Sequence, residues 1–164
     1  MNEKPAIEQS ERESVWAYPR PPAVEDVPQQ IKIVFNGESI VNSQNAKRVL
    51  ETSHPPTYYI PFKDIKTEVL QPTTRRSWCE WKGEAKYYDV VIGDQTAKNA
   101  AWFYPNPNLD YLEIKDYVAF YASKMDACFV GDERVEAQKG TFYGGWITSN
   151  IDGPFKGGPG TEGW

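Results

Sequence analysis

The chain has 164 residues, a length that suits one domain burying about 70% of the surface its unfolded form exposes. Lys and Arg number 18 against 23 Asp and Glu, giving a formal charge of −5 and a pI near 5.0. That balance argues against a nucleic-acid partner, which would need a basic face to neutralise phosphates.

In chain order, the first 30 residues carry Glu3, Glu8, Glu11, Glu13, Glu25 and Asp26 and no apolar run, so no signal peptide is expected. Residues 1–14 are predicted to be disordered. A single domain over 15–164 then begins with a proline-rich arm, 15–30, in which Tyr18–Pro22 lies extended and Trp16 and Tyr18 anchor to the body. Ile31–Phe35 alternates in polarity and is followed by Asn36-Gly37 and Glu38–Asn42, the strongest short hairpin signal in the chain. Ser43–Ser53 spaces Ala46, Val49 and Leu50 as one amphipathic turn would, a period that does not separate helix from irregular strand. Prolines on either side confine Thr57–Ile60 to an extended edge segment. One helical turn is expected at Phe62–Ile65 and a strand at Lys66–Leu70.

The centre of the chain is Trp78–Tyr104, where aromatic residues concentrate and two glycine turns stand close together. Lys82-Gly83-Glu84 and Gly93-Asp94 divide it into three strands. Closing the second loop at Gly93-Asp94 sets Val90 opposite Ala97, Asp89 opposite Lys98 and Tyr88 opposite Asn99. Tyr88, Val90, Ile92, Ala97 and Ala101 then share one face, with Lys86 and Asn99 as its polar members. Tyr87, Asp89, Lys98 and Trp102 share the other. Beyond it, Tyr111–Tyr117 reads as a short helix, Val118–Tyr121 and Ala127–Val130 as strands, and Gly131-Asp132 as a turn into Arg134–Glu136. The tail, 153–164, has five glycines and two prolines, so it is either free or an irregular segment pinned by Phe155 and Trp164. It lacks the spacing of a phosphate-binding glycine loop.

Many short strands separated by turn signals predict an all-β domain of coiled antiparallel sheets with one or two short helices. No apolar window is long enough for a membrane span, so a cytoplasmic protein without a membrane partner is expected. Cys79, Cys128 and the single histidine, His54, are too few and too scattered for structural zinc. No metal or cofactor is expected, and both thiols read as buried apolar groups in a reducing compartment.

Several segments resemble a known family: RVLETSHPPTYYIP (48–61), CEWKGEAKYY (79–88), NAAWFYPNP (99–107), VAFY (118–121) and GGWITSNIDGPFKGGPGTEGW (144–164). On these the chain is similar to the domain of unknown function family numbered 427, which also carries a nucleotidyltransferase label. The resemblance implies a β-tent (Mss4-like) fold, in which coiled sheets enclose a concave face. Relatives of that shape hold zinc through two C-x-x-C pairs or use a cysteine in methionine sulfoxide reduction, and this sequence has neither pair. The nucleotidyltransferase label implies Gly-Ser followed by paired acidic residues for magnesium, which the sequence does not show.

Three sets of candidate site residues follow. Arg48, Glu51 and His54 are spaced by three and share a face if Ser43–Ser53 is helical; a histidine beside a carboxylate can act as acid or base near neutral pH. Cys79 becomes a nucleophile if Lys82 or Lys86 supplies positive charge beside it. Glu80, Lys82, Lys86, Tyr87, Tyr88 and Asn99 can converge on a concave face walled by Trp81, Trp102 and Tyr104, a mixture suited to a small planar ligand. The leading expectation is a domain binding a small molecule through Arg48, Trp81, Lys82, Lys86, Tyr88, Asn99, Trp102 and Tyr104. The alternatives are an enzyme using His54 with Glu51, or Cys79, and a protein-interaction module, such as a homodimer strapped by the arm and tail.

Overall fold

The computed structural model describes residues 11–164; most of the segment predicted to be disordered lies outside them. In chain order the strands are β1 (Glu13–Ser14), β2 (Ala23–Asp26), β3 (Ile31–Phe35), β4 (Glu38–Ser43), β5 (Lys47–Leu50) and β6 (Thr57–Tyr59). Then follow β7 (Leu70–Cys79), β8 (Gly83–Ile92), β9 (Gln95–Phe103), β10 (Val118–Phe120) and β11 (Ala127–Val130). Four two-residue strands complete the set: β12 (Glu133–Arg134), β13 (Glu136–Ala137), β14 (Trp146–Ile147) and β15 (Ile151–Asp152). The helical segments among the described residues are short 3₁₀ turns, including Phe62–Asp64 and Leu109–Ile114. The fold is all-β.

Three sheets matter for the site. β10-β9-β8-β7 is antiparallel throughout, as are β12-β11-β3-β4 and β2-β5-β6. A bridge between Ile60 and Val118 extends β6 onto β10, so the first and third sheets form one continuous coil of strands. The Asn36-Gly37 hairpin is present, both residues taking the positive φ that a tight two-residue turn requires.

Strict alternation gives the coil two different faces. One face contributes Tyr58, Val90, Ala97, Ala101, Val118 and Phe120 to the main core, packed against Ile31, Ile33, Ile40 and Val41 of the β3–β4 sheet. The other gathers Tyr59, Ala85, Tyr87, Trp102, Tyr104, Ala119 and Tyr121 into a second, aromatic cluster.

The structure corrects several expectations. Ser43–Ser53 is not helical: β5 pairs on both sides with β2 and β6, and those ladders decide a sequence whose period was ambiguous. Lys66–Leu70 is a 3₁₀ turn, Thr67–Val69, feeding β7. Register in the central hairpin holds at Val90↔Ala97 but then slips, pairing Tyr88 with Ala101 and Tyr87 with Trp102. The slip is a bulge in β9. Asn99 turns to φ +48° and donates its backbone N–H to the Asp89 carboxylate at 2.7 Å, while Thr73 donates to its side-chain oxygen at 2.7 Å. Asp89 therefore captures a backbone amide, and no Asp89–Lys98 ion pair forms.

Candidate functional site

The aromatic face of the coil is not filled. A cavity of about 490 Å³ opens against it, a volume in the range of small-molecule sites. β7, β8 and β9 supply Ser77, Cys79, Tyr87 and Trp102, and Tyr104 and Tyr121 follow directly on β9 and β10. β5 and β6 supply Val49, Thr57 and Tyr59, and the loop between them Glu51, His54 and Pro55. The closing wall is Phe142, Tyr143, Gly144, Lys156, Gly163 and Trp164.

That closing wall shows why the glycine-rich end is ordered. A Cβ on Gly144 would lie 2.4 Å from the Trp102 ring, and one on Gly157 would lie 2.1 Å from the Lys139 carbonyl oxygen. Only glycine lets the backbone approach so closely. Tyr121 donates its hydroxyl to the Phe142 carbonyl at 2.6 Å, Phe155 packs beside Val15 and Leu50, and Trp164 meets Trp16 edge to face at 5.2 Å. The tail is pinned at Phe155 and Trp164. Ser53 ties the β5–β6 loop to both ends of the chain, donating its amide to Val15 and accepting from the Lys156 amide.

His54 is held by Gln138. The Gln138 side-chain oxygen accepts from the Gly145 amide at 2.9 Å, so its nitrogen is the donor, to the Lys156 carbonyl at 2.7 Å and to His54 Nδ1 at 3.3 Å. A donor facing Nδ1 leaves the proton of the neutral ring on Nε2. Burial, followed by the charges of Lys156, Lys82 and Arg20, lowers the His54 pKa to about 4. His54 is thus a neutral hydrogen-bond donor through Nε2–H and not a base at neutral pH. Among the described residues no side-chain hydrogen bond or ion pair joins Glu51 to His54; the contact between them is main-chain only, Glu51 accepting from the His54 amide at 3.0 Å.

Lys82 is the most unusual group present. It stands in the turn between β7 and β8, is only 6% exposed, and its Nζ lies 5.7 Å from the centre of the Tyr104 ring. Among the described residues no carboxylate forms an ion pair with it. Burial opposes its charge, while Tyr59, Cys79 and Glu51 hold its pKa above the ordinary lysine value. Burial also raises Tyr59, Tyr104 and Tyr121, so these phenols stay neutral and able to donate.

Of the expected ligand set, the cavity takes Trp81, Lys82, Trp102 and Tyr104, together with Glu80 and Tyr87. Arg48, Lys86, Tyr88 and Asn99 do not line it. Arg48 projects from β5 on the side opposite Val49, where it binds Glu13 at 2.8 Å and Glu25 at 2.9 Å. Tyr88 stacks on Phe103 at 4.8 Å against the main core, Lys86 shares its parity, and Asn99 shapes the bulge. All three enzyme candidates, His54, Glu51 and Cys79, line the same cavity as Lys82.

Sequence reasoning missed Arg20, Gln138, Phe142, Tyr143 and Lys156. Of these only Phe142 and Tyr143, an aromatic pair before Gly144-Gly145, carry any local signal. Among the described residues no three His, Cys, Asp or Glu side chains gather to hold a metal ion, and no helix is long and apolar enough to cross a membrane.

Residues 23–131 match a family model described as a domain of unknown function (DUF427). No curated protein matches the chain.

Proposed function

The chain belongs to the DUF427 family, whose description assigns no activity, and from the cavity we propose that the protein binds a small molecule between its aromatic sheet face and its C-terminal wall. One observation carries this reading: a buried ammonium, Lys82, stands without an anionic partner in a cavity otherwise walled by rings. A lysine placed there for the fold alone would cost stability with nothing returned. The rim supports the same reading, because Trp78 is 69% exposed and Phe142, Tyr143 and Trp164 are also open to solvent at the mouth. The two-faced coil of strands supports a β-tent (Mss4-like) fold, and the unpaired cysteines support a cytoplasmic location.

The test uses six tryptophans, four of which, Trp78, Trp81, Trp102 and Trp164, line the cavity. Titrating a metabolite panel against intrinsic fluorescence should give saturable binding that also slows alkylation of Cys79. A panel in which nothing binds, or in which binding leaves Cys79 equally reactive, would sink the reading.

A second reading, a cysteine-dependent enzyme, is favoured by the placing of Cys79 on the wall beside Lys82. Iodoacetamide measures it: the Cys79 sulfur forms a bond to the reagent's methylene carbon, iodide leaves, and the thiol proton passes to water. Cys79 should react well before Cys128, which is 1% exposed and whose thiol burial pushes up to about 12. Equal rates at the two thiols would remove this reading.

A further inference from the structure

If the cavity is a ligand site, the charge of its ligand can be inferred. Three cationic side chains line the cavity, Arg20, Lys82 and Lys156, against two carboxylates, Glu51 and Glu80. Lys156 already donates to the Trp164 main-chain oxygen at 3.1 Å and lies 5.4 Å from the Tyr143 ring centre. Lys82 has the Tyr104 ring, a side-chain hydrogen bond with Cys79 and the longer-range influence of Tyr59 and Glu51, and no carboxylate in contact. An aromatic face offsets part of the loss of water around an ammonium, but an anion in contact offsets far more.

The donors converge. Lys156, Lys82, Arg20 and His54 all line the cavity, and Gln138 ties His54 to Lys156 by donating to Nδ1 of the one and the main-chain carbonyl of the other. The Gln138 bond to Nδ1 leaves His54 with a single free donor, Nε2–H. Rings make up the adjoining wall: Trp102 tilts against Tyr121 at 4.6 Å, and Tyr104, whose ring centre is 5.7 Å from Lys82 Nζ, lies 6.4 Å from Tyr59. One cationic, donor-rich end beside a wall of rings fits a molecule with one anionic group on a planar body.

We propose that the cavity takes a flat aromatic molecule with a single anionic group, its carboxylate or phosphate held by Lys82 Nζ and His54 Nε2–H and its ring laid against Trp102 and Tyr104. Recognition depends on the Lys82 charge more than on its length. The carboxylate, the phosphate ester and the neutral amide of one ring system separate the alternatives.

Calorimetry of the full chain with 2-naphthoate, 2-naphthamide and 2-naphthyl phosphate tests this. The acid or the phosphate should bind at least about tenfold more tightly than the amide, since a hydrogen bond to a charged group exceeds a neutral one by that order. Lys82→Met should abolish the preference and Lys82→Arg should keep most of it. The tighter of the two anions identifies the headgroup. Amide and anion binding alike would overturn the anionic ligand and leave the cavity as a site for neutral planar ligands. A preference that survives Lys82→Met would overturn Lys82 as its origin. Failure of all three compounds, together with an inert metabolite panel, would overturn the ligand site itself. Should Lys82→Met not fold, the acid-to-amide ratio in the wild-type protein and in Lys82→Arg decides.

Discussion

Gln138 donates to Nδ1 of His54 at 3.3 Å, and this contact fixes both the tautomer and the charge of the only histidine in the chain. Protonating the ring would set an N–H against the Gln138 amide in a pocket already ringed by Lys156, Lys82 and Arg20. The folded pKa of about 4 lies below the ordinary value of 6.5 that the unfolded chain keeps. Between those two values the unfolded state binds the extra proton. Stability is therefore fully present above 6.5 and is lost as pH falls toward about 4, by about 3 kcal/mol at 1.36 kcal/mol per pH unit. Guanidinium unfolding at about pH 7 and about pH 4.5 should show most of this loss in the wild type and far less in His54→Gln. Equal losses in both proteins would place the pH dependence elsewhere, on Glu13, Asp64 and Asp152, whose carboxyls are held below their ordinary values and titrate at the acid end.

The C-terminal wall depends on backbone contact. Gly157 has φ +130° and no space for a Cβ, so Gly157→Ala must move either its own chain or Lys139. A loss of about 2 kcal/mol or more is expected, with weaker binding of any cavity ligand. Gly163→Ala is the control, because Gly163 lines the cavity and has open space for a Cβ. Similar unfolding midpoints for the two variants would mean that the wall does not pack as described.

The β9 bulge makes a separate claim. Asn99→Val places a β-branched residue at φ +48° and removes the oxygen that Thr73 binds. It should cost about 2 kcal/mol or more, whereas Asn99→Gly, relieved of backbone strain, should cost much less. Denaturant midpoints decide, and equal effects would contradict a strained bulge.

How far the sequence carries this fold depends on where each interaction lies. Asn36-Gly37 and Gly93-Asp94 are local turn signals, and each set the first pairs of its hairpin, including Val90↔Ala97. The bulge two residues later depends on Asp89 reaching across to the Asn99 amide, and the loop length of the turn does not encode that contact. Face parity survived the slip because two extra residues preserve alternation, so Tyr87 and Trp102 were correctly grouped together and apart from Tyr88. The expected concave face mixed residues of both sides of the sheet, and of them Lys86, Tyr88 and Asn99 do not line the cavity. Lys86 and Asn99 looked like polar residues needing a pocket, but one shares the half-buried side of the main core and the other serves its own backbone. The C-terminal wall could not be read because Gln138, Gly144 and Gly157 act only through contacts distant in sequence.

The most direct measurement is the stability of Lys82→Met without added ligand. A lysine kept for a ligand is a burden on the empty protein, so replacing it with an apolar chain of similar length should leave the unfolding free energy unchanged or raise it, by up to about 4 kcal/mol. A lysine paired within the fold behaves in the opposite way. A loss of about 3 kcal/mol or more would mean that Lys82 holds the structure together, and the cavity would lose the observation on which its reading as a ligand site rests.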